Sequence, residues 1–160
     1  MQRTLGIDQS YTSSGFVVKD ESGAVVEFGT FKSARAMDVY DRAAAVAGFI
    51  VDKAIEHGVK CVNIEGLAFG IRGDATRDLA GLLFTIVTTL RRRTSDVTLL
   101  VVPPTSLKKF ATGSGKSDKA AMISSVPQHV LDRFIDAKYK KTTGLADICD
   151  AYWLSSFIPS

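Results

Sequence analysis

At 160 residues with 46% hydrophobic content, the chain is long enough for one domain around one core and too apolar to be disordered. Twenty basic and seventeen acidic residues leave a net charge of +3, which by itself names no partner. No apolar run approaches 18 residues and no long apolar segment leads the chain, so neither a membrane span nor a signal peptide is expected.

In chain order, Arg3–Asp8 reads as a first strand, an apolar run that ends on one acid. With Leu5 and Ile7 on one side of a sheet, Asp8 faces the other. Ser14–Lys19 reads as a second strand closed by the turn Asp20–Gly23, and Ala24–Phe31 as a third; the short spacing argues for antiparallel pairing. Asp38–His57 reads as a helix with Asp38 as N-cap, Val39, Ala43, Val46, Ile50 and Ala54 along its apolar face, and Gly58 as its stop. Lys60–Glu65 is a short strand ending on Glu65, followed by the loop Gly66–Gly73.

Asp74–Arg93 is a second helix, whose apolar face (Leu79, Leu82, Leu83, Ile86 and Leu90) serves either the core or a dimer. Arg91, Arg92 and Arg93 complement the dipole at its end. Val97–Val102 is a fifth strand stopped by Pro103 and Pro104. Thr105–Ala111 is a short turn or helix, Thr112–Ser117 a Gly/Ser/Lys loop, and Asp118–Val126 helical. A short helix runs from Pro127 to Ala137, a basic linker over Lys138–Gly144, and the last helix over Leu145–Ile158. Three strands, then helix, strand, helix, strand, predict one domain over 1–160. It is an α/β, mixed five-stranded sheet flanked by helices, in the order of a ribonuclease H-like fold.

Asp8, Glu65, Asp147 and Asp150 have a bland reading each: a turn cap, a strand-end surface acid, and first-turn acids on a helix. Together they read differently. Asp8 and Glu65 end strands that lie side by side, and Asp147 and Asp150, three apart, share a helix face. If that helix crosses the strand ends, four carboxylates converge and need cations. Oxygen donors suit Mg²⁺ or Mn²⁺, and two such ions can drive phosphodiester hydrolysis.

Leu5-Gly-Ile-Asp8, Asn63-Ile-Glu65, Gly113–Lys119 and Ala146-Asp-Ile-Cys-Asp-Ala151 fall in the order and spacing of the RuvC family of Holliday junction resolvases, over nearly the whole chain. The compact length resembles the phage-borne branch. The resemblance implies a homodimeric crossover junction endodeoxyribonuclease that nicks four-way and other branched DNA symmetrically and leaves 5′-phosphate and 3′-hydroxyl ends. It makes Asp8, Glu65, Asp147 and Asp150 the catalytic ligands of two Mg²⁺ or Mn²⁺ ions, and puts Lys108 and Lys119 against DNA. It also implies a cytoplasmic setting, in a bacterial cell or an infected host cell. Two departures stand out. Gln9-Ser10 replaces the Pro-Gly that many cellular members carry after the first acid. Phe69, the candidate for the aromatic inserted at the junction centre, lies one residue late.

Residues 103–141 carry eight basic and three acidic residues, whereas residues 1–102 carry twelve of each. Within that basic segment Lys108, Lys109, Lys116 and Lys119 surround Gly113 and Gly115 and are candidate phosphate contacts; the alternative is a solvated loop. Lys138, Lys140 and Lys141 either contact a DNA arm or form a solvated linker. The segment is not a nucleotide-binding P-loop, because the first glycine of that pattern is Phe110. Cys61 and Cys149 give no disulfide framework or metal spacing, both read as core, and a reducing compartment follows. His57 and His129 read as surface residues.

Two rival functions remain at this stage. The Asp8 context also suits sugar-kinase and actin-type ATPases, which need a second phosphate loop and a much longer chain. A non-catalytic branched-DNA-binding module of the same fold is the other alternative.

Overall fold

The structure, a computed structural model, describes residues 2–67 and 73–159. In chain order the elements are β1 (Thr4–Asp8), β2 (Ser13–Lys19), β3 (Val25–Lys32), α1 (Val39–Glu56), β4 (Cys61–Glu65), α2 (Asp74–Arg93), β5 (Thr98–Val102), α3 (Pro104–Thr112), α4 (Lys119–Ser124), α5 (Gln128–Asp136) and α6 (Leu145–Ser156). The five strands form one sheet in the order β3-β2-β1-β4-β5. β1–β2 and β2–β3 pair antiparallel, while β1–β4 and β4–β5 pair parallel. This is the mixed, helix-flanked sheet that the order of elements predicts.

Strand alternation divides the core in two. Leu5, Ile7, Phe16, Val18, Val62 and Ile64 pack on Val46 and Ile50 of α1 and on Leu82, Ile86 and Leu90 of α2. The opposite face carries Val17 and Val25 against Phe134 of α5 and Ile148, Cys149 and Ala151 of α6. Val102, Leu107, Met122 and Leu154 extend this second layer over α3 and α4. The apolar stripe of α2 is therefore taken up largely by the core, and Phe84 is left projecting from that helix, 71% exposed.

Local chemistry explains where elements start and stop. The Asp38 side chain accepts a hydrogen bond from the Asp41 amide, and Asp118 does the same for Ala121. The segment read as a turn or helix after β5 is a full helix, because Pro104 occupies its first position, where no amide is needed. Gly113, at a φ of 87°, ends it.

Two residues sit differently from expectation. Cys61 is half-buried, because alternation sends Val62 and Ile64 into the core and turns Cys61 to the other face, where its Sγ lies 3.1 Å from Asn63 Oδ1. His57 is partly enclosed, its Nε2 2.5 Å from a Glu27 carboxylate oxygen. Cys149 is fully buried, as expected. Among the described residues no helix is long and apolar enough to cross a membrane.

Candidate active site

The site begins with alternation on two neighbouring strands. On β1, Leu5 and Ile7 enter the core beneath α1, leaving Gly6 and Asp8 on the α6 face. On β4, Val62 and Ile64 enter the same core and leave Asn63 and Glu65 on the α6 face. The parallel register matches Ile7 with Ile64, so Asp8 and Glu65 follow one another at adjacent strand ends.

Glycine lets α6 come down onto them. A Cβ on Gly15 would lie 2.5 Å from the Asp147 carbonyl carbon and 2.9 Å from Asp147 Cβ. A Cβ on Gly6 would strike the Ala151 carbonyl oxygen and the Ser155 amide. No side chain separates α6 from β1 and β2 at these points. Polar bonds fix the far end of the helix: Thr4 Oγ1 donates to the Ser155 carbonyl at 2.8 Å, and Asn63 Nδ2 donates to the Leu154 carbonyl at 2.7 Å.

Carboxylate oxygens of Asp8, Glu65 and Asp150 lie within 4.8 Å of one another. Asp147 stands outside this trio but lies against Asp8. The Asp8 carboxyl is pushed well above the ordinary range, first by burial and then by repulsion from Glu65, Asp150 and Asp147. Burial and the same neighbouring acids push Asp150 up to about 7. Burial raises Glu65, against a hydrogen bond from Asp8 and the charge of Lys108. Burial also raises Asp147, against a hydrogen bond from Asp8 and the charge of Lys119.

The donor set fits a hard divalent cation. All donors are carboxylate oxygens, and ligands about 2.1 Å from an ion stand up to about 4.2 Å apart, close to the spacing of the trio. A second grouping of possible ligands, Glu27, Glu56 and His57, is already neutralised, because Lys53 Nζ sits 2.6 Å from Glu27 and 3.2 Å from Glu56.

Lys108 and Lys119 join the acids in a cavity of about 410 Å³, lined also by Glu65, Asp150, Ser117 and Met122. Lys109 and Lys116 are exposed and do not line it. Lys109 is one residue, about 100°, further round α3 than Lys108. The glycine loop is a self-bonded turn in place of an open phosphate cradle. Ser117 Oγ donates to the Ser114 carbonyl at 2.7 Å, the Ser114 amide donates to Thr112 Oγ1 at 3.1 Å, and Thr112 and Ser117 bond each other. Phe69 lies outside the described residues.

Sequence reasoning missed what Gln9 does. Its Nε2 donates to the Glu65 carbonyl at 2.6 Å, so a side chain continues the β1–β4 ladder one step past its last backbone pair and ties the two acid-bearing ends together. A Pro-Gly turn at this place has no side chain that can do so. The turn itself is anchored: Tyr11 Oη donates to the Asp78 carbonyl on α2, and Ser33 Oγ donates to the Tyr11 carbonyl.

No family model and no curated relative matches the chain. Solved structures do. Thermus thermophilus RuvC is 16% identical with a TM-score of 0.70, over 96% of this chain and 90% of that one. The same protein in complex with a Holliday junction substrate gives a TM-score of 0.73 at 16% identity, over 97% and 91%. The yeast mitochondrial Holliday junction resolvase gives 0.62 at 14% identity, over 97% and 76%. At these identities the likeness is one of architecture, and the chain has the ribonuclease H-like fold of the RuvC-type Holliday junction resolvases.

Proposed function

We propose that the chain is a metal-dependent endonuclease that resolves four-way DNA junctions, and cuts other branched DNA, by phosphodiester hydrolysis. The observation that carries this reading is the convergence of Asp8, Glu65 and Asp150, with Asp147 behind, where α6 crosses the ends of β1 and β4. Four acids in one partly desolvated place need cationic company. Asp8, Glu65, Asp147 and Asp150 would hold two Mg²⁺ or Mn²⁺ ions. Bound there, the ions supply an activated water and neutralise charge building on the phosphate. Lys108 and Lys119, across the cavity from Asp150, draw a DNA phosphate toward the acids. Gln9 holds the Asp8 and Glu65 strand ends at fixed spacing.

Paired symmetric nicks need two such sites, which implies a homodimer. The exposed Phe84 of α2 and the exposed Tyr40 of α1 offer apolar contact. Tyr40 also borders a cleft of about 500 Å³ shared with Tyr11, Arg77 and Gly81. The resolvase folds favour this reading over a binding module, and the intact acid set supports it.

The test is incubation with synthetic four-way junctions, forks and linear duplex in Mg²⁺, with and without EDTA. The expected result is preferential nicking of junctions at symmetric positions on opposite strands, lost in EDTA and restored by Mg²⁺ or Mn²⁺. Cleavage that persists in chelator overturns the metal mechanism. Metal-independent binding with no cleavage at all selects the binding module.

A further inference from the structure

A second basic site lies on the same sheet edge as the acids, on the other side of the β1–β2 turn. A cavity of about 250 Å³ is lined by Lys32, Arg35, Arg42, Thr12, Ser13 and Ser33. Three cations and three hydroxyls thus face one small space. Among the described residues none of the three cations has a carboxylate within 4.0 Å, so the positive charge of the cavity is not neutralised from within the chain. The nearest acids in sequence, Asp38 and Asp41, do not line the cavity, and the Asp38 carboxylate caps α1 through the Asp41 amide.

The framework holds these groups in place. Lys32 ends β3, in register with Ser13 at the start of β2. Arg42 in the first turns of α1 donates from Nε to the Ala34 carbonyl at 3.3 Å, and Ser33 Oγ bonds the Tyr11 carbonyl. The β3–α1 connection is thereby tied to the turn that follows Asp8.

The position relative to the acids follows from the register. Asp8 pairs with Gly15, Gly15 with Thr30, and Lys32 is two residues beyond Thr30. Two strand spacings of about 4.8 Å across the sheet and two residues of about 3.4 Å along it place Lys32 roughly 12 Å from Asp8. That distance spans about three to four nucleotides at 3.4 Å rise per strand.

We propose that Lys32, Arg35 and Arg42, with the Thr12 and Ser13 hydroxyls, bind a backbone phosphate of the same DNA a few nucleotides from the scissile one, extending the footprint to the side of the acids opposite Lys108 and Lys119. Arginine presents a planar fork that matches phosphate oxygens, and the hydroxyls donate to the remaining ones. A site of this kind reads no bases and fixes how the strand lies over the acids. The inference rests on the nuclease reading above.

The test compares junction binding in Ca²⁺ by wild type, by Lys32→Gln/Arg35→Gln, and by Arg91→Gln/Arg92→Gln, with cleavage in Mg²⁺ followed in parallel. The last pair removes equal charge from exposed positions at the other end of α2. Arg42 stays in place because it holds the Ala34 carbonyl, so the fold of the test variant is spared. Loss of one phosphate contact lowers the slope of log K against log salt by about 0.9 and weakens binding about eight-fold at 0.1 M salt. We expect that change for Lys32→Gln/Arg35→Gln, and wild-type slope and cleavage for the control pair. A wild type that binds and cuts, with an unchanged slope in Lys32→Gln/Arg35→Gln or an equal drop in the control, overturns this inference alone. A wild type that binds without cutting, with the expected drop in slope, overturns the nuclease reading and leaves the phosphate site standing. A wild type that binds no DNA overturns both.

Discussion

Substituting Gly15 with alanine tests the geometry of the site without touching any acid. The added Cβ would stand 2.4 Å from the Asp147 carbonyl oxygen, and ordinary contact begins at 3.4 Å, so α6 must shift by about 1.0 Å or the strand must yield by as much. Overpacking of this kind costs about 1–3 kcal/mol. For a chain of this length that is a fall in Tm of roughly 2–12 °C. The catalytic effect should be larger. A displacement near 1 Å of groups that position the reacting atoms costs about 10²-fold in rate. Lys108 and Lys119 belong to α3 and α4, not to the strand and helix that would clash, so junction binding in Ca²⁺ should keep its salt dependence. The assay is single-turnover cleavage of a synthetic junction beside a thermal melt. Gly48→Ala serves as the contrast, because nothing lies within 4 Å of the added Cβ and the site is mid-helix. That change should stabilise by about 0.5–1 kcal/mol and leave cleavage alone. If Gly15→Ala folds and cuts at the wild-type rate, the close approach of α6 does not set the spacing of the acids.

Asp8→Asn removes a carboxyl that burial and three neighbouring acids push well above its ordinary range; relief of about 1 kcal/mol should raise the metal-free Tm at pH 8 by about 2–4 °C while abolishing both cleavage and the Mg²⁺-induced Tm shift. A metal-free Tm at or below wild type would show that Asp8 is not held against repulsion. Wild type itself should respond to pH with a definite sign. Asp8 and Asp150 carry raised folded-state values, so their stabilising share is complete below about pH 4, and that of Asp150, raised to about 7, is lost as pH rises through 7. The metal-free Tm should therefore fall from pH 5 to pH 8 and recover with Mg²⁺, and a rise over that window contradicts the assignment. Lys119→Ala should flatten the salt slope of junction binding by about 1, and an unchanged slope removes Lys119 from the DNA face. Phe84→Asp should halve the mass seen by light scattering and uncouple the paired nicks; a mass still twice that of the chain places the dimer surface elsewhere.

The acids were legible because each follows from a short-range rule. Alternation turns Asp8 away from Leu5 and Ile7, and three-residue spacing puts Asp147 and Asp150 on one helix face. That the two pairs meet depended on the order of elements, which the strand and helix periods carry. What enables the meeting was not legible. Gly6 and Gly15 read as ordinary strand residues, since the backbone they admit belongs to α6, more than 130 residues away. Alternation also exposes the error at Cys61: the apolar run Cys-Val-Asn-Ile suggests core throughout, yet Cys61 shares its face with Asn63 and Glu65. Lys109 and Lys116 were grouped by sequence proximity, and the helix turn and the self-bonded loop separate them from the acids. The basic site on the other flank was hidden for the opposite reason. Lys32, Arg35 and Arg42 come from a charge-balanced region and meet Thr12 and Ser13 only through the register of β2 and β3 and the tie of Arg42 on α1 to the Ala34 carbonyl.

The two ends of α6 have opposite electrostatics, and that division explains the most puzzling buried residue. At the C-terminal end, Lys19 of β2 is 7% exposed, has no carboxylate partner among the described residues, and is lowered by burial to about 8. Its Nζ bonds Ser156 Oγ and lies 3.7 Å from the centre of the Tyr152 ring. No basic residue of α6 itself lies in its last turn, so Lys19 supplies the cation that the helix dipole favours there. With the Thr4 and Asn63 bonds it makes this end the fixed one. The N-terminal end carries Asp147 and Asp150 over Gly15, where the acids repel Asp8 and Glu65. A helix anchored at one end and repelled at the other holds its acids in place only against that anchor. Cations at the acid end would turn the repulsion into attraction and hold the acids together there. The fold thus supplies the position of the acids through neutral contacts far from them, and leaves the electrostatic balance of the site to the cations proposed for it.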